Sequence, residues 1–128
     1  PMTADVVFIV NGLGLGNSTR CHAVIERLQQ HGVKIHVVTF GNGIWYFGGR
    51  DGIESITEIS SLYYSKKDGK ISIANTLSSV VDFGRILHRN SKTIATLLDT
   101  VNPALVVTDS EYTFWPHTTI DPCSISFC

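Results

Sequence analysis

Three glycines on alternate positions separate an apolar run from an amphipathic segment, and this junction most constrains the fold. The stretch VNGLGLGNSTRCHAVIERL covers Val10–Leu28. The β-branched run DVVFIVN at its start is bounded by polar residues and is short enough to be a buried strand. Each glycine in a regular element lowers stability by roughly 0.5–1 kcal/mol relative to alanine, so three together predict a sharp turn or a pocket for phosphate or sugar. Apolar residues after the glycines have helical spacing and predict one buried helix stripe: Cys21, Val24, Ile25 and Leu28.

The rest of the chain continues to alternate strands and helices. Asn17 or Ser18 is expected to cap the first helix, and Gly32 to end it in a left-handed conformation. Pro103 ends a long helix whose apolar stripe is Leu77, Val80, Val81, Leu87, Ile94, Leu97, Leu98 and Val101. Further strands are predicted at Lys34–Phe40, at Glu54–Ile59, in ALVVTD and in CSISF, and a short helix at Ile44–Arg50.

This order predicts an α/β fold, a Rossmann-like doubly wound parallel sheet of about five strands. Right-handed crossovers then give the strand order 3-2-1-4-5. A length of 128 residues fits one domain, residues 1–128. Because the sequence stops on its fifth strand, we expect it to be a fragment or half of a split protein.

Composition excludes several classes of function. A formal net charge of −1 argues against a nucleic-acid partner bound through counterion release. Cys21, Cys123 and Cys128 are odd in number and scattered, which favours reduced thiols and a cytoplasmic location. No His, Cys or carboxylate cluster has metal-ligand spacing, since a turn separates His31 from His36.

The glycine loop fits neither of two common nucleotide motifs. A dinucleotide loop needs its third glycine where Asn17 stands, and no acid closes the second predicted strand at Thr39–Phe40. A Walker loop needs Gly-Lys-Ser/Thr, and this chain has Gly-Asn-Ser. A tight turn without a ligand is the alternative. Against it, Ser18, Thr19 and Arg20 place hydroxyls and a guanidinium beside a helix N-terminus, which favours an anion.

The stretch GLGLGNSTRCHAVIERLQQHGVKIHVVT resembles the opening of the acceptor-binding domain of GT-B glycosyltransferases, the group that includes MurG and the UDP-glycosyltransferases. The later stretch LLDTVNPALVVTDSEYTFWP resembles the segment of that family in which a helix, a proline, a strand and an aspartate follow one another. Pro103 and Asp109 stand at the matching places. The shared motifs cover about Val10–Thr39 and Leu97–Pro116, and the general layout extends over the whole chain.

The resemblance implies one of two Rossmann-like halves that face each other across a cleft. The N-terminal half binds the acceptor, and the absent C-terminal half holds a UDP-sugar or related donor, which is a co-substrate; no cofactor or metal is expected. The partners are then a C-terminal donor-binding domain or partner subunit, and an acceptor sugar, lipid or small molecule. The predicted substrate-binding residues are Gly12, Gly14, Gly16, Ser18, Arg20 and Glu111.

The base required for inverting transfer is not at its usual place. In many relatives a histidine follows the loop and an aspartate orients it; here Asp109 occupies the aspartate's place and Asn17 the histidine's. These are the predicted catalytic positions, although an amide has no useful basicity and Asn17 can only hydrogen-bond. His22 is a weaker candidate, with a solvent-facing histidine as the alternative. Asp109 or Glu111 could serve alone, because both follow the carboxyl end of a strand.

Aromatic and basic groups add further candidates. One aromatic group either lines an acceptor groove or packs its loop on the sheet: Tyr112, Phe114 and Trp115. For a second group, Trp45–Phe47, packing in the core is favoured over contact with an acceptor. Positive charge is concentrated in YYSKKDGK and in the set Arg85, His88, Arg89 and Lys92. The positive charge of the second set permits contact with an anionic membrane surface. No exposed apolar stripe accompanies it, so the sequence does not indicate membrane binding.

The sequence therefore predicts the acceptor-binding half of a nucleotide-sugar-dependent glycosyltransferase, which transfers a hexosyl group to an acceptor hydroxyl and is inactive alone. The alternative is a non-catalytic, Rossmann-like subunit that binds or recruits a separate catalytic chain. Asn17 in the position of the base supports this alternative.

Overall fold

The computed structural model describes residues 4–61, 76–109 and 124–127. Within these ranges, five parallel strands form one sheet in the order β3-β2-β1-β4-β5, as predicted. The elements along the chain are β1 (Asp5–Val10), α1 (Gly16–Gln29), β2 (Lys34–Thr39), α2 (Asn42–Gly48), β3 (Ile53–Glu58), α3 (Thr76–Val101), β4 (Leu105–Asp109) and β5 (Ser124–Phe127).

Among the described residues, one apolar core lies on each face of the sheet. On one face, α1 and α2 contribute Cys21, Ile25 and Phe47, which pack against one set of alternate strand side chains, including Phe8 and Val37. On the other face, Ile94 and Leu98 of α3 pack against the opposite set. The central strand β1 is buried on both faces, because alternate side chains of a strand point to opposite sides.

The helix stripes were predicted correctly for α1 and only in part for α3. Cys21 and Ile25 are buried as expected, and Gly32 has the left-handed φ of 78°. Val81 is 60% exposed, however, so the stripe predicted for α3 is wrong at that position. The described apolar contacts of α3 come from its C-terminal half, where the helix lies over the sheet.

The register of β3 shifts by one residue beside Ile35 and His36 of β2. Ile35 pairs with Ile53, but His36 pairs with Ser55, which leaves Glu54 as the extra residue of a β-bulge. Ile53 consequently packs with the α1/α2 core, whereas Ile59, six residues later, packs with the α3 core. An unbroken strand would place both on one face.

The bulge brings Ser55 beside a nearly buried histidine that joins three strands. His36 Nε2 donates to Asp5 Oδ2 at 2.8 Å, and His36 Nδ1 lies 2.8 Å from Ser55 Oγ. These bonds satisfy both ring nitrogens of a residue that is only 9% exposed. Because Asp5 begins β1, these hydrogen bonds lie toward the amino ends of the strands. We infer that their role is structural, because they connect β1, β2 and β3.

No helix in the described ranges is both long enough and apolar enough to cross a membrane.

Replacing His36 with alanine should lower the free energy of unfolding by about 2–3 kcal/mol, because it leaves two polar partners without their bonds and opens a cavity. Urea denaturation measures this difference. His31→Ala is the matched control, since His31 is exposed beyond the end of α1. Equal losses in the two variants would contradict the structural role of the bonded histidine.

Candidate functional site

The glycine loop is held by short-range bonds at the carboxyl end of β1. Asn11 Oδ1 accepts a bond from the backbone N–H of Leu13 at 2.9 Å, which folds the chain immediately after the strand. The carbonyl of Gly12 accepts from the N–H of Asn42 at 3.0 Å, and the carbonyl of Leu13 accepts from Asn42 Nδ2 at 2.8 Å. Asn42 of α2 therefore fixes the first half of the loop.

The three glycines have different surroundings. A Cβ on Gly12 would lie 1.6 Å from the backbone oxygen of Phe40, so no other residue fits there without moving the chain. A Cβ on Gly14 or Gly16 would meet nothing within 4 Å. Close packing accounts for the first glycine only. The other two leave open space beside the start of α1, which is where a ligand can approach the backbone.

The carboxylate of Asp109 is fully buried at the end of β4 and accepts bonds from two neighbouring residues of α1. Arg20 Nε donates to Oδ2 at 3.0 Å, and Arg20 Nη2 donates to Oδ1. The thiol of Cys21 donates to Oδ2 at 3.2 Å. Bidentate pairing of this kind fixes the orientation of a guanidinium. The Arg20 side chain remains 48% exposed, so the same group that neutralises Asp109 also faces solvent.

Both donors to this carboxylate have raised pKa values. The hydrogen bond and charge of Asp109 raise the pKa of Arg20 above its usual value. Burial, with a smaller contribution from the bond to Asp109, raises the pKa of the Cys21 thiol to about 12. Cys21 is thus a protonated hydrogen-bond donor, which makes it unsuited to act as a nucleophile near neutral pH.

Asn17 and Ser18 do not cap α1, contrary to the prediction, because Leu15 is the N-cap and forms no side-chain cap bond. The helix begins at Gly16, two residues before the start that a cap at Asn17 would give. Asn17 Nδ2 instead donates to the backbone carbonyl of Asp109, at 3.5 Å. Ser18 is fully buried, and its hydroxyl has no hydrogen-bond partner within the described part of the chain.

A cavity of about 570 Å³ opens at the carboxyl ends of β2 and β3. Its described lining combines the end of β2 with the start of α2 and the end of β3: Phe40, Gly41, Asn42, Glu58, Ile59, Ser60 and Ser61. Asn42 belongs both to this lining and to the bonds that hold the glycine loop. The cavity and the loop are therefore neighbours on one edge of the sheet, where open α/β folds bind ligands.

Two residues of this edge were missed by sequence reasoning. Glu58 is the last residue of β3 and lines the cavity. Asn90 is buried on α3, and its amide exchanges two bonds with the backbone of Ser60, at 2.9 and 2.8 Å. The acid at the end of a predicted strand was a usable signal for Glu58, by the same rule that selected Asp109. Nothing local in the sequence singles out Asn90.

His22 is largely buried and contacts α2 instead of facing solvent. Its side chain is 17% exposed; Nδ1 lies 2.8 Å from the hydroxyl of Tyr46, and Nε2 lies 3.2 Å from Glu26 Oε1. The prediction of a solvent-facing histidine is wrong, because α2 packs over this side of α1. Within α2, Phe47 is buried, Tyr46 is half-buried and Trp45 is 73% exposed, so core packing holds for only part of this sequence.

Of the predicted site residues, the structure brings together Asn17, Arg20 and Asp109, with the glycine loop beside them. Glu111 and the aromatic residues Tyr112, Phe114 and Trp115 lie outside the described residues, as does YYSKKDGK. Within residues 4–61, 76–109 and 124–127, no group of three or more His, Cys, Asp or Glu could hold a metal ion.

Comparison with protein families gives one match over most of the chain. The model described as "Glycosyl transferase family 1" matches residues 4–121, which include every site residue discussed above. Comparison with curated protein sequences gives no match.

Among solved structures, the fold is similar to "Crystal Structure of CalG4, the Calicheamicin Glycosyltransferase", with a TM-score of 0.59 and 15% sequence identity. The match covers 85% of this chain and 27% of that chain. Identity at this level shows the fold alone. This chain thus has the Rossmann-like fold of a GT-B domain, and it spans about a quarter of the length of the similar enzyme.

Alanine substitution should change the free energy of unfolding to different extents at the three glycines. Gly12→Ala should lower the free energy of unfolding by about 3 kcal/mol, because the new methyl group would overlap a backbone carbonyl. Gly14→Ala and Gly16→Ala should change it by less than about 1 kcal/mol. Thermal denaturation of the three variants measures this order. A Gly12→Ala variant as stable as the other two would show that the loop packs differently.

The buried thiol should make stability depend on alkaline pH. The pKa of Cys21 is raised from 9.0 to about 12 in the folded chain, so its contribution is complete below about pH 9 and is lost as pH rises toward 12. The free energy of unfolding of the parent chain should fall more steeply between about pH 9 and 11 than that of Cys21→Ser, which keeps a donor to Asp109 but does not ionise. Parallel slopes would contradict a shielded thiol.

Proposed function

The chain belongs to glycosyl transferase family 1, and we propose that it forms the acceptor-binding half of a nucleotide-sugar-dependent glycosyltransferase. The whole enzyme transfers a hexosyl group from a nucleotide diphosphate sugar, such as a UDP-sugar, to an acceptor hydroxyl. The observation that carries this proposal is that an open glycine loop with a fixed guanidinium adjoins a ligand-sized cavity through Asn42.

The start of α1 supplies a place for the diphosphate. The first turn of the helix contains no acidic residue, and its first N–H groups point away from the helix body toward the loop. Gly14 and Gly16 leave open space there, and Arg20 adds a positive charge whose direction Asp109 fixes. These groups suit an anion with several oxygen atoms.

The cavity beside the loop supplies a place for the acceptor. Its volume of about 570 Å³ lies within the usual range for small-molecule sites. Exposed apolar side chains occur on the same edge of the sheet, at Leu13, Leu15 and Trp45. An acceptor with an apolar part could rest on them while its sugar or other polar group enters the cavity.

In the proposed reaction, the acceptor oxygen forms a bond to the anomeric carbon while the bond from that carbon to the diphosphate oxygen breaks. The electron pair leaves on the diphosphate, and the acceptor proton passes to a base. Arg20 and the N–H groups of α1 stabilise the charge that grows on the departing diphosphate. Asn17 can hydrogen-bond the acceptor or the diphosphate, but it cannot take the proton.

The contacts of Asp109 support a positioning role for this residue. Its buried carboxylate holds Arg20, and its backbone carbonyl accepts from Asn17. It thereby aligns the two side chains that face the loop. Glu111, two residues further on, stays a candidate for the base of the whole enzyme.

The second candidate function is a non-catalytic subunit that binds substrate or recruits a catalytic chain. It is favoured by Asn17 in the position of the base and by the engagement of Asp109 with Arg20. Asn17→His in the full-length protein discriminates between the two, because a base restored at this position can increase turnover only where the chemistry takes place beside the loop.

Nucleotide sugars should stabilise the full-length protein against heat, and Arg20→Gln should weaken that binding about tenfold by removing charge-assisted bonds to the diphosphate. Thermal shifts, each compared with the ligand-free form of the same variant, measure the effect. Arg27→Gln is the control, because Arg27 is exposed in the last turn of the same helix.

The chain by itself should transfer no sugar from a UDP-sugar to an acceptor, since the donor-binding half is absent from the proposed arrangement. Transfer by the isolated chain, or equal binding by the Arg20 and Arg27 variants, would count against the proposed function.

A further inference from the structure

We infer that Glu58 determines which acceptor enters the cavity: it favours an acceptor that presents hydroxyl or ammonium groups and disfavours one that presents a carboxylate or phosphate. This inference rests on the proposed function and names the substrate class of its acceptor site. Four features of the described residues support it: the position of Glu58, its lack of a partner, the neutrality of its neighbours and the fixed geometry of the cavity wall.

Glu58 lies at the carboxyl edge of the sheet, where open α/β folds bind ligands. It is the last residue of β3, paired in register with Thr39 at the end of β2, and it is exposed in the cavity lining. The bulge at Glu54 sets which residues of the second half of β3 point to each face. Glu58 therefore reaches this position because of the same shift that places Ser55 beside His36.

The carboxylate of Glu58 forms no hydrogen bond or ion pair with the described residues. The carboxylate of Asp109 differs, because it accepts hydrogen bonds from Arg20 and Cys21. Of the seven described lining residues, Glu58 alone carries an ionisable side chain. A carboxylate offers only hydrogen-bond acceptors. Adjacent hydroxyls of a sugar, or a protonated amine, can therefore bind to it, whereas a second anion is repelled.

The wall around Glu58 is held by bonds that do not involve a ligand. The amide of Asn90 accepts a hydrogen bond from the N–H of Ser60 and donates one to the carbonyl of Ser60. The N–H of Ile59 donates to the carbonyl of Thr39 at 2.9 Å. On the opposite wall, Asn42 is fixed by its bonds to the glycine loop. The backbone on both sides of Glu58 is therefore positioned before a ligand arrives, which reduces the ordering required on binding.

Three methyl glycosides that differ in one group provide the test: methyl glucoside is neutral, methyl glucosaminide carries an amine and methyl glucuronide carries a carboxylate. Binding to the chain is followed by amide NMR shifts at about pH 6.5, where the amine and carboxylate of the probes are both charged. The glucoside and glucosaminide should bind at least about tenfold more tightly than the glucuronide, with shifts at Gly41, Asn42 and Ser60.

Glu58→Gln keeps the shape of the side chain and removes its charge, so it should reduce that preference to less than about threefold. Glu58→Asp should retain a preference against the glucuronide. Glu54→Gln is the matched control, because Glu54 is an exposed acid on the same strand that does not line the cavity, and it should behave like the parent chain.

Equal binding of the three probes, an unchanged preference in Glu58→Gln, shifts confined to another surface, or no binding at all would each overturn the inference. The proposed function is judged separately, by the stabilisation of the full-length protein with nucleotide sugars. That result depends on Arg20 and the glycine loop, so either conclusion can fail without the other.

Discussion

The buried carboxylate of Asp109 is the group on which the carboxyl edge of the sheet depends. A charge removed from water must be compensated by pairing and hydrogen bonds, and here α1 provides both through Arg20 and Cys21. The requirement ties the end of β4 to the second turn of α1, and the backbone carbonyl of the same residue also accepts from Asn17. One buried charge thus fixes the start of α1 relative to the sheet. The same contact leaves Arg20 half exposed and fixes its direction, so in the proposed function one ion pair serves both the fold and the ligand site.

The polar groups of the sheet are divided between its two ends according to their surroundings. Toward the amino ends, His36 exchanges bonds with Asp5 and Ser55, and this network is satisfied internally. At the carboxyl ends, Glu58 remains without a partner among the described residues, beside a cavity and an open loop. Internally satisfied polar groups stabilise the fold, whereas unoccupied groups beside a cavity are available to a ligand. This division, more than the fold itself, locates the proposed binding edge of the glycosyltransferase domain.

Sequence patterns predicted the architecture well because burial of a short apolar strand and of one helix stripe is a local property. The strand order and the buried positions Cys21 and Ile25 of α1 followed from those patterns and from crossover handedness. The side-chain partners did not follow, because they join residues far apart in the chain. The pairing of Arg20 with Asp109 depends on the register of β4 against β1, and the environment of His22 depends on how α2 packs. Glu58 was missed although it stands at the end of a predicted strand, because the sequence alone does not show that a cavity lies beside this strand end.

That bulge also determines how β3 can change in evolution. Substitutions along the strand alter one side chain at a time, but deletion of a single residue near Glu54 would restore strict alternation and exchange the two faces for every residue that follows. Ile59 would leave the core beneath α3, and Glu58 would turn away from its present side of the sheet. A change of length in this short segment therefore alters more of the sheet edge than a single substitution does. Relatives that differ here by an insertion or deletion are expected to have a differently composed binding edge, even where their overall architecture is the same.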